Sequence, residues 1–265
     1  MRVTDLTGGE PLTFAVSGGN PRVDLSLRVD ADGAFVADVL TERSLAQSPP
    51  VRLGAFRGRL PASTLDALEG VVAASLEPAA PPGPVGYPPG AVVRLVSAGG
   101  GAPVPAVGEE TELAALDHAI AEAAAGALVD PVAAIVAEAR HGDDGPVLAL
   151  TTTGTEPFRL LLFASDTPGY SARTWIDTPA GQQHLDVEAV ERLVAAGTIP
   201  DGPADLPPGS EAVIPLPAGA KAGSTGGFIV WRAGQGPERR IVTGSWSLPA
   251  RTSDPPEIAP SASTP

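Results

Sequence analysis

Eleven residues recur in this chain. "LDALEGVVAAS" fills positions 65–75 and "VEAVERLVAAG" fills positions 187–197, offset by 122 and aligned without a gap. Ala67/Ala189, Glu69/Glu191, Val72/Val194, Ala73/Ala195 and Ala74/Ala196 are identical, and the apolar positions coincide elsewhere. A recurrence at fixed offset constrains the fold more than any single motif, because each copy should be one structural unit. The match extends outward. Upstream, "VDLSLRVDADGAFVADVL" faces "PVLALTTTGTEPFRLLLF"; downstream, "YPPGAVVRL" faces "LPPGSEAVIPL".

In both upstream segments apolar and polar residues alternate on either side of a turn, "DADGA" or "TGTEP". This period of two predicts a half-buried β-hairpin in each. A third strand follows, over 51–60 and 172–178. The recurrent segment is then a helix, with Ser63 or Asp186 as N-cap and Gly197 as the C-terminal stop. Leu65, Leu68, Val72 and Leu76, and likewise Val187, Val190 and Val194, form stripes that a sheet can bury. A Pro-Pro-Gly turn and a last strand complete the unit. The expected fold is α+β: two tandem, diverged copies of a β-β-β-α-β unit, each a sheet covered by one helix.

The expected boundaries are 1–107 for the first copy, 108–145 for an acidic helical connector, 146–250 for the second copy with an extra C-terminal hairpin, and 251–265 for a disordered tail. Within the connector, "EETELAALDHAIAEAAAGAL" carries Leu113, Leu116 and Ile120 on one face and Glu109, Glu110 and Glu112 where a helix dipole favours acids. After Asp130, Pro131 restarts a second helix, "PVAAIVAEA".

The net charge of −14 is concentrated. Residues 108–145 hold nine acids and one base; 1–107 hold ten and eight; 146–265 hold twelve and eight. Such a field repels phosphate backbones, so nucleic acid is not an expected partner. Absence of cysteine removes disulfides and thiolate chemistry. Asp5 and Glu10 interrupt any signal-peptide core, and Glu122, Asp130 and Pro131 break the longest apolar stretch below the length of a membrane span. A cytoplasmic protein with no membrane contact is expected. Sixteen arginines against one lysine, with 31 Gly and 30 Pro, suit coding in a G+C-rich bacterium.

Catalytic signatures are weak. "DADG" and "HGDDG" read as turns, not as Ca²⁺ or metal clusters. His118, His141 and His184 show no HExxH or HxH spacing, and no metal or cofactor is expected. The Gly-rich stretches "SGGN", "SAGGGA" and "GSTGGF" lack the strand-before, helix-after setting of a phosphate loop, and "TGSWSL" is no nucleophile elbow. If the chain is an enzyme, His184 with Asp186 and Tyr170 are the residues to test. Trp231 and Trp246 lie on the two arms of the C-terminal hairpin beside Arg232 and Arg240; they are candidates for interface anchors, with an aromatic core as the alternative.

The strand–strand–helix pattern ending in "LPASTLDALEGVVAAS" is similar to that of many small bacterial α+β domains, protease-inhibitor-like and immunity-like ones included. That resemblance carries no residue role. The functional expectation is a non-enzymatic acidic protein-binding module of inhibitor, immunity or adaptor type, meeting a basic protein through 108–145 (Glu109, Glu110, Glu112) or the hairpin. Two alternatives stand beside it: a small-molecule enzyme or ligand-binding protein with its site between the copies, and a structural component of a bacterial or phage assembly.

Overall fold

The computed structural model describes residues 11–18, 23–41, 51–76, 91–127, 131–166, 171–185, 187–234 and 239–250. The expected tail, Asp186 and Tyr170 lie outside these residues. Strands β1 (Leu12–Gly18), β2 (Val23–Val29), β3 (Ala34–Val39) and β4 (Val51–Arg59) form an antiparallel run. Leu12, Phe14, Val16, Leu25, Leu27, Val29, Phe35, Ala37 and Val39 are all buried, every second residue in each strand, so the expected alternation holds. The "DADG" turn is a hairpin: Gly33 has φ of 82°, and the Asp32 carboxylate accepts from the Ala34 amide at 3.0 Å.

Helix α1 (Ala62–Leu76) follows, then β5 (Val92–Ala98) beside β1, the short β6 (Val104–Pro105), and helix α2 (Glu110–Ala127). Leu68 and Val72 of α1 and Leu116, Ile120 and Ala124 of α2 share a core with the inner residues of β1–β3. Ser63 sits inside the first turn of α1 rather than capping it. Thr64 and Leu65 donate to the Pro61 carbonyl instead.

Residues 131–142 depart from expectation. In place of the second connector helix they form strand β7 (Pro131–Gly142), paired with β4 on one side and β8 (Gly145–Gly154) on the other. Ala133, Ile135, Ala137 and Ala139 enter one core and Ala134 the other. A strand buried on both faces loses its polar–apolar alternation, and an alanine-rich one then reads as helix. "HGDDG" is the β7–β8 turn.

The second expected hairpin is also revised. β8 pairs with β7 and with β13 (Glu211–Pro215), whereas β9 (Phe158–Leu161) pairs with β12 (Ala204–Leu206) and with β14 (Thr225–Ala233). The chain changes sheets at Gly154, whose φ is 115° and where a Cβ would stand 2.5 Å from the Val132 carbonyl oxygen. The amides of Thr155 and Glu156 both donate to that oxygen. β10 (Arg173–Thr178), β11 (Gly181–His184), helix α3 (Val187–Ala195) and β15 (Arg239–Ser247) complete the described elements. Gly197 closes α3, donating to Val194 O, and β14–β15 form the expected hairpin.

The result is α+β, with mostly antiparallel strands. A nine-stranded sheet runs β13-β8-β7-β4-β3-β2-β1-β5-β6; a six-stranded one runs β11-β10-β14-β9-β12, with β15 beside β14. The larger sheet takes strands from all three expected segments, because β7 joins β4 to β8 inside it. The 108–145 stretch is thus one helix plus one central strand, not a helical connector. Helices α1 and α2 cover one face of the larger sheet. The six-stranded sheet covers the opposite face along β4, β7, β8 and β13, where Leu53, Ile135, Leu148, Leu150 and Ile214 meet Phe158, Phe228, Val230, Val242 and Trp246. No described helix is long and apolar enough to cross a membrane.

Candidate functional site

The C-terminal hairpin points its two tryptophans to opposite faces. Trp231 is registered with Ile241, and Trp246 with Gly226, and the period of two puts positions 231 and 246 on different sides. Trp246 is 2% exposed and donates its indole N–H to the Gly227 carbonyl at 3.0 Å, so it belongs to the core and is no surface anchor. Trp231, on the outer face, is half-buried.

Arg232 and Arg240 lie on the inner face with Phe228, Val230 and Val242, directly opposite each other across β14–β15. Like charges so placed repel. Asp38 of β3 resolves this by accepting from both, one oxygen from Arg232 and the other from Arg240 at 2.9 Å. Arg240 also reaches Asp24 at 2.8 Å and Ser26 at 3.1 Å, and the Arg232 guanidinium lies 5.6 Å from the Phe158 ring centroid. Beside this cluster the Thr243 amide donates to Leu40 O. The two arginines are an ionic clamp where the apolar sandwich gives out over β2 and β3. Next to it lies a cavity of about 500 Å³ whose wall sets Arg159, Arg232 and Arg240 among Asp38, Glu156 and Asp205. Arg159 meets Asp205 at 3.4 Å and Glu156 meets Arg57 at 3.1 Å.

On the helix-covered face, α1 and α2 pack side by side. Between them runs an open groove of about 610 Å³ with Ala67, Gly70 and Ala74 on one wall, Ala115 and Ala119 on the other, and Glu112 at its rim. Val107, 54% exposed, also lines it. The Ser75 hydroxyl fastens one end, donating to Val71 O and accepting from the Val107 amide. The Glu109 carbonyl begins α2 by accepting from Glu112 and Leu113. Glu110 and Asp117 share Arg94 of β5, at 3.2 and 2.7 Å. Burial raises the Asp117 carboxyl above its ordinary range and outweighs the pull of Arg94 toward the charged form. Across the two helices stand Asp66, Glu69, Glu110, Glu112, Asp117 and Glu122 with no Lys or Arg.

The candidate catalytic residues do not converge. His184 is exposed on β11, its ring 6.0 Å from that of Trp175. Tyr170 and Asp186 lie outside the described residues. His118 pairs with Glu122 on the outside of α2, and His141 lies 3.1 Å from the Pro249 carbonyl. Among the described residues no three His, Asp or Glu side chains are placed to hold a metal. The groove was missed in the sequence because its walls are alanine and glycine, which advertise nothing. The one signal was Gly70, a helix breaker in mid-helix.

What fold and site define here is an α+β protein with two packed sheets and one helix-covered face. Comparison with protein-family models, curated proteins and solved structures finds no match to this chain.

Proposed function

We propose that this chain is a non-enzymatic protein-binding module, of inhibitor, immunity or adaptor type, whose partner is a basic protein. The observation that carries this reading is the α1–α2 layer: six carboxylates on two helices without Lys or Arg, two of them paired with Arg94 of β5, and an open apolar groove between the helices. Exposed apolar concavities rimmed by one sign of charge are what a complementary protein surface uses for encounter and for grip. In the hairpin, Arg232 and Arg240 are taken up by the internal clamp and Trp246 by the core, which favours the helix layer. The recurrence of 65–75 at 187–197 fits a duplicated segment that diverged, α1 staying on the open face while α3 contributes Val190 to the sandwich core; its support is the sequence match.

The test is affinity capture of partners from the native host at low and high salt, with wild type beside a Glu69→Lys, Glu112→Lys, Glu122→Lys triple variant. A stoichiometric basic protein that leaves as salt rises and is lost by the triple variant is the expected result. A partner held equally by both proteins defeats the reading.

A second reading has its own observation. The cavity between the sheets sets three guanidinium groups among three carboxylates, a lining suited to a small molecule carrying both charges. Arg159 and Asp205, the longer of the pairs there, would open to admit it. A thermal-shift screen of amino acids and small carboxylates checks it: a saturable rise in Tm, lost in Arg159→Ala, supports this reading over the first.

A further inference from the structure

Helix α1 keeps a glycine in its middle at a place where nothing demands one. Gly70 faces the groove, and a Cβ built on it meets no atom within 4 Å. Glycine inside a helix is destabilising relative to alanine, so such a residue with no close neighbour is a local cost without a return among the described residues. Around it the groove walls hold alanines where larger side chains would fill the groove along the helix junction. This pattern leaves room for side chains that the described chain does not supply.

Resting on the reading above, we infer that the α1–α2 groove receives an amphipathic α-helix of the partner, with large apolar side chains seated over Gly70 and lysines or arginines along its flanks. The small residues let a third helix approach closely, and the interval from Ser63 to Ala74 spans about 16 Å, roughly three helical turns. Apolar anchors at i, i+3, i+4 and i+7 of such a helix follow the groove. The charge decides between occupants. A second copy of this chain would bring its own carboxylates against these, whereas a basic helix meets Glu112 at the rim and the net negative charge of the two helices.

The probe is a synthetic 18-residue helix with leucines at i, i+3, i+4 and i+7 and lysines elsewhere, beside a peptide with glutamate for lysine. Each is titrated into the ¹⁵N-labelled full chain. The lysine peptide should shift the amides of Ala67, Gly70, Ala74, Ala115 and Ala119, and the glutamate peptide should leave them in place. Gly70→Leu, which fills the groove at a site with free space, should weaken the lysine peptide at least tenfold with native spectra elsewhere. Unchanged affinity in Gly70→Leu overturns the groove. If the triple lysine variant still abolishes binding, the acidic-surface reading survives that loss; if neither variant matters, both readings fall. A concentration-dependent mass that Gly70→Leu abolishes would overturn the inference in favour of a second copy.

Discussion

The two faces of the nine-stranded sheet are finished differently. On one, the six-stranded sheet lays phenylalanines, valines and Trp246 onto β4, β7, β8 and β13, and where apolar residues run out the clamp of Arg232 and Arg240 on Asp38 and Asp24 closes the seam. On the other, α1 and α2 bury Leu68, Val72, Leu116 and Ile120 but leave alanine-lined space between themselves. The difference teaches where stability and recognition reside. A seam closed by large side chains and paired charges confines its unfilled volume to the charged cavity beside the clamp, while a helix layer with small facing residues keeps an apolar groove on its surface.

Substitution in the closed seam should show the largest effect. Phe228 is fully buried, and Phe228→Ala should cost about 3–5 kcal/mol in urea unfolding. A much smaller loss would mean the seam is looser than the groove. Next, Arg240→Ala takes one partner from each of Asp24 and Asp38 and should cost about 1–3 kcal/mol. Combining it with Asp38→Ala should recover part of that loss, and simple additivity in the double-mutant cycle would break the idea of a clamp.

The groove should respond with the opposite sign. Gly70→Ala removes a helical glycine into free space and should stabilise by about 0.5–1 kcal/mol in the same assay. Destabilisation would show that the site is packed after all.

Two carboxylates sharpen the comparison through pH. Asp117, raised by burial in the helix layer, holds its proton more tightly folded than unfolded. Its contribution is full below the ordinary carboxylate range and lost as pH rises through its folded value. Asp201, near β12, is held low by the Ser165 hydroxyl at 2.6 Å and the Ser165 amide at 2.9 Å. Its contribution is present above that range and lost on acidification. Urea midpoints from about pH 3 to 6 should therefore tilt in opposite directions for Asp117→Asn and Asp201→Asn relative to wild type. Equal slopes would remove the distinction.

Much of the first half was legible in sequence. β1, β2 and β3 alternate, "DADG" turns, and α1 and α2 carry stripes, because each has one apolar and one polar face and the pattern records it. β7 was not legible, since burial on both faces erases alternation and leaves alanines that favour a helix. Nor was the β8–β9 separation, because "TGTEP" can turn back in one sheet or cross to another, and the choice rests on Val132 O meeting the chain at Gly154. Within the site, Trp246 and the two arginines share a parity that marks one face, but a sequence does not say whether that face meets solvent or a second sheet.

By itself the sequence determined an acidic, cysteine-free α+β chain with a recurrent helix and a C-terminal hairpin, through local periodicity, turn chemistry and charge. Tertiary structure alone decided that β7 lies at the centre of one large sheet, that Arg232 and Arg240 face inward onto Asp38, and that two small-residue helix faces meet along an open groove. Each depends on which surfaces meet across distant chain positions, and no local pattern encodes that.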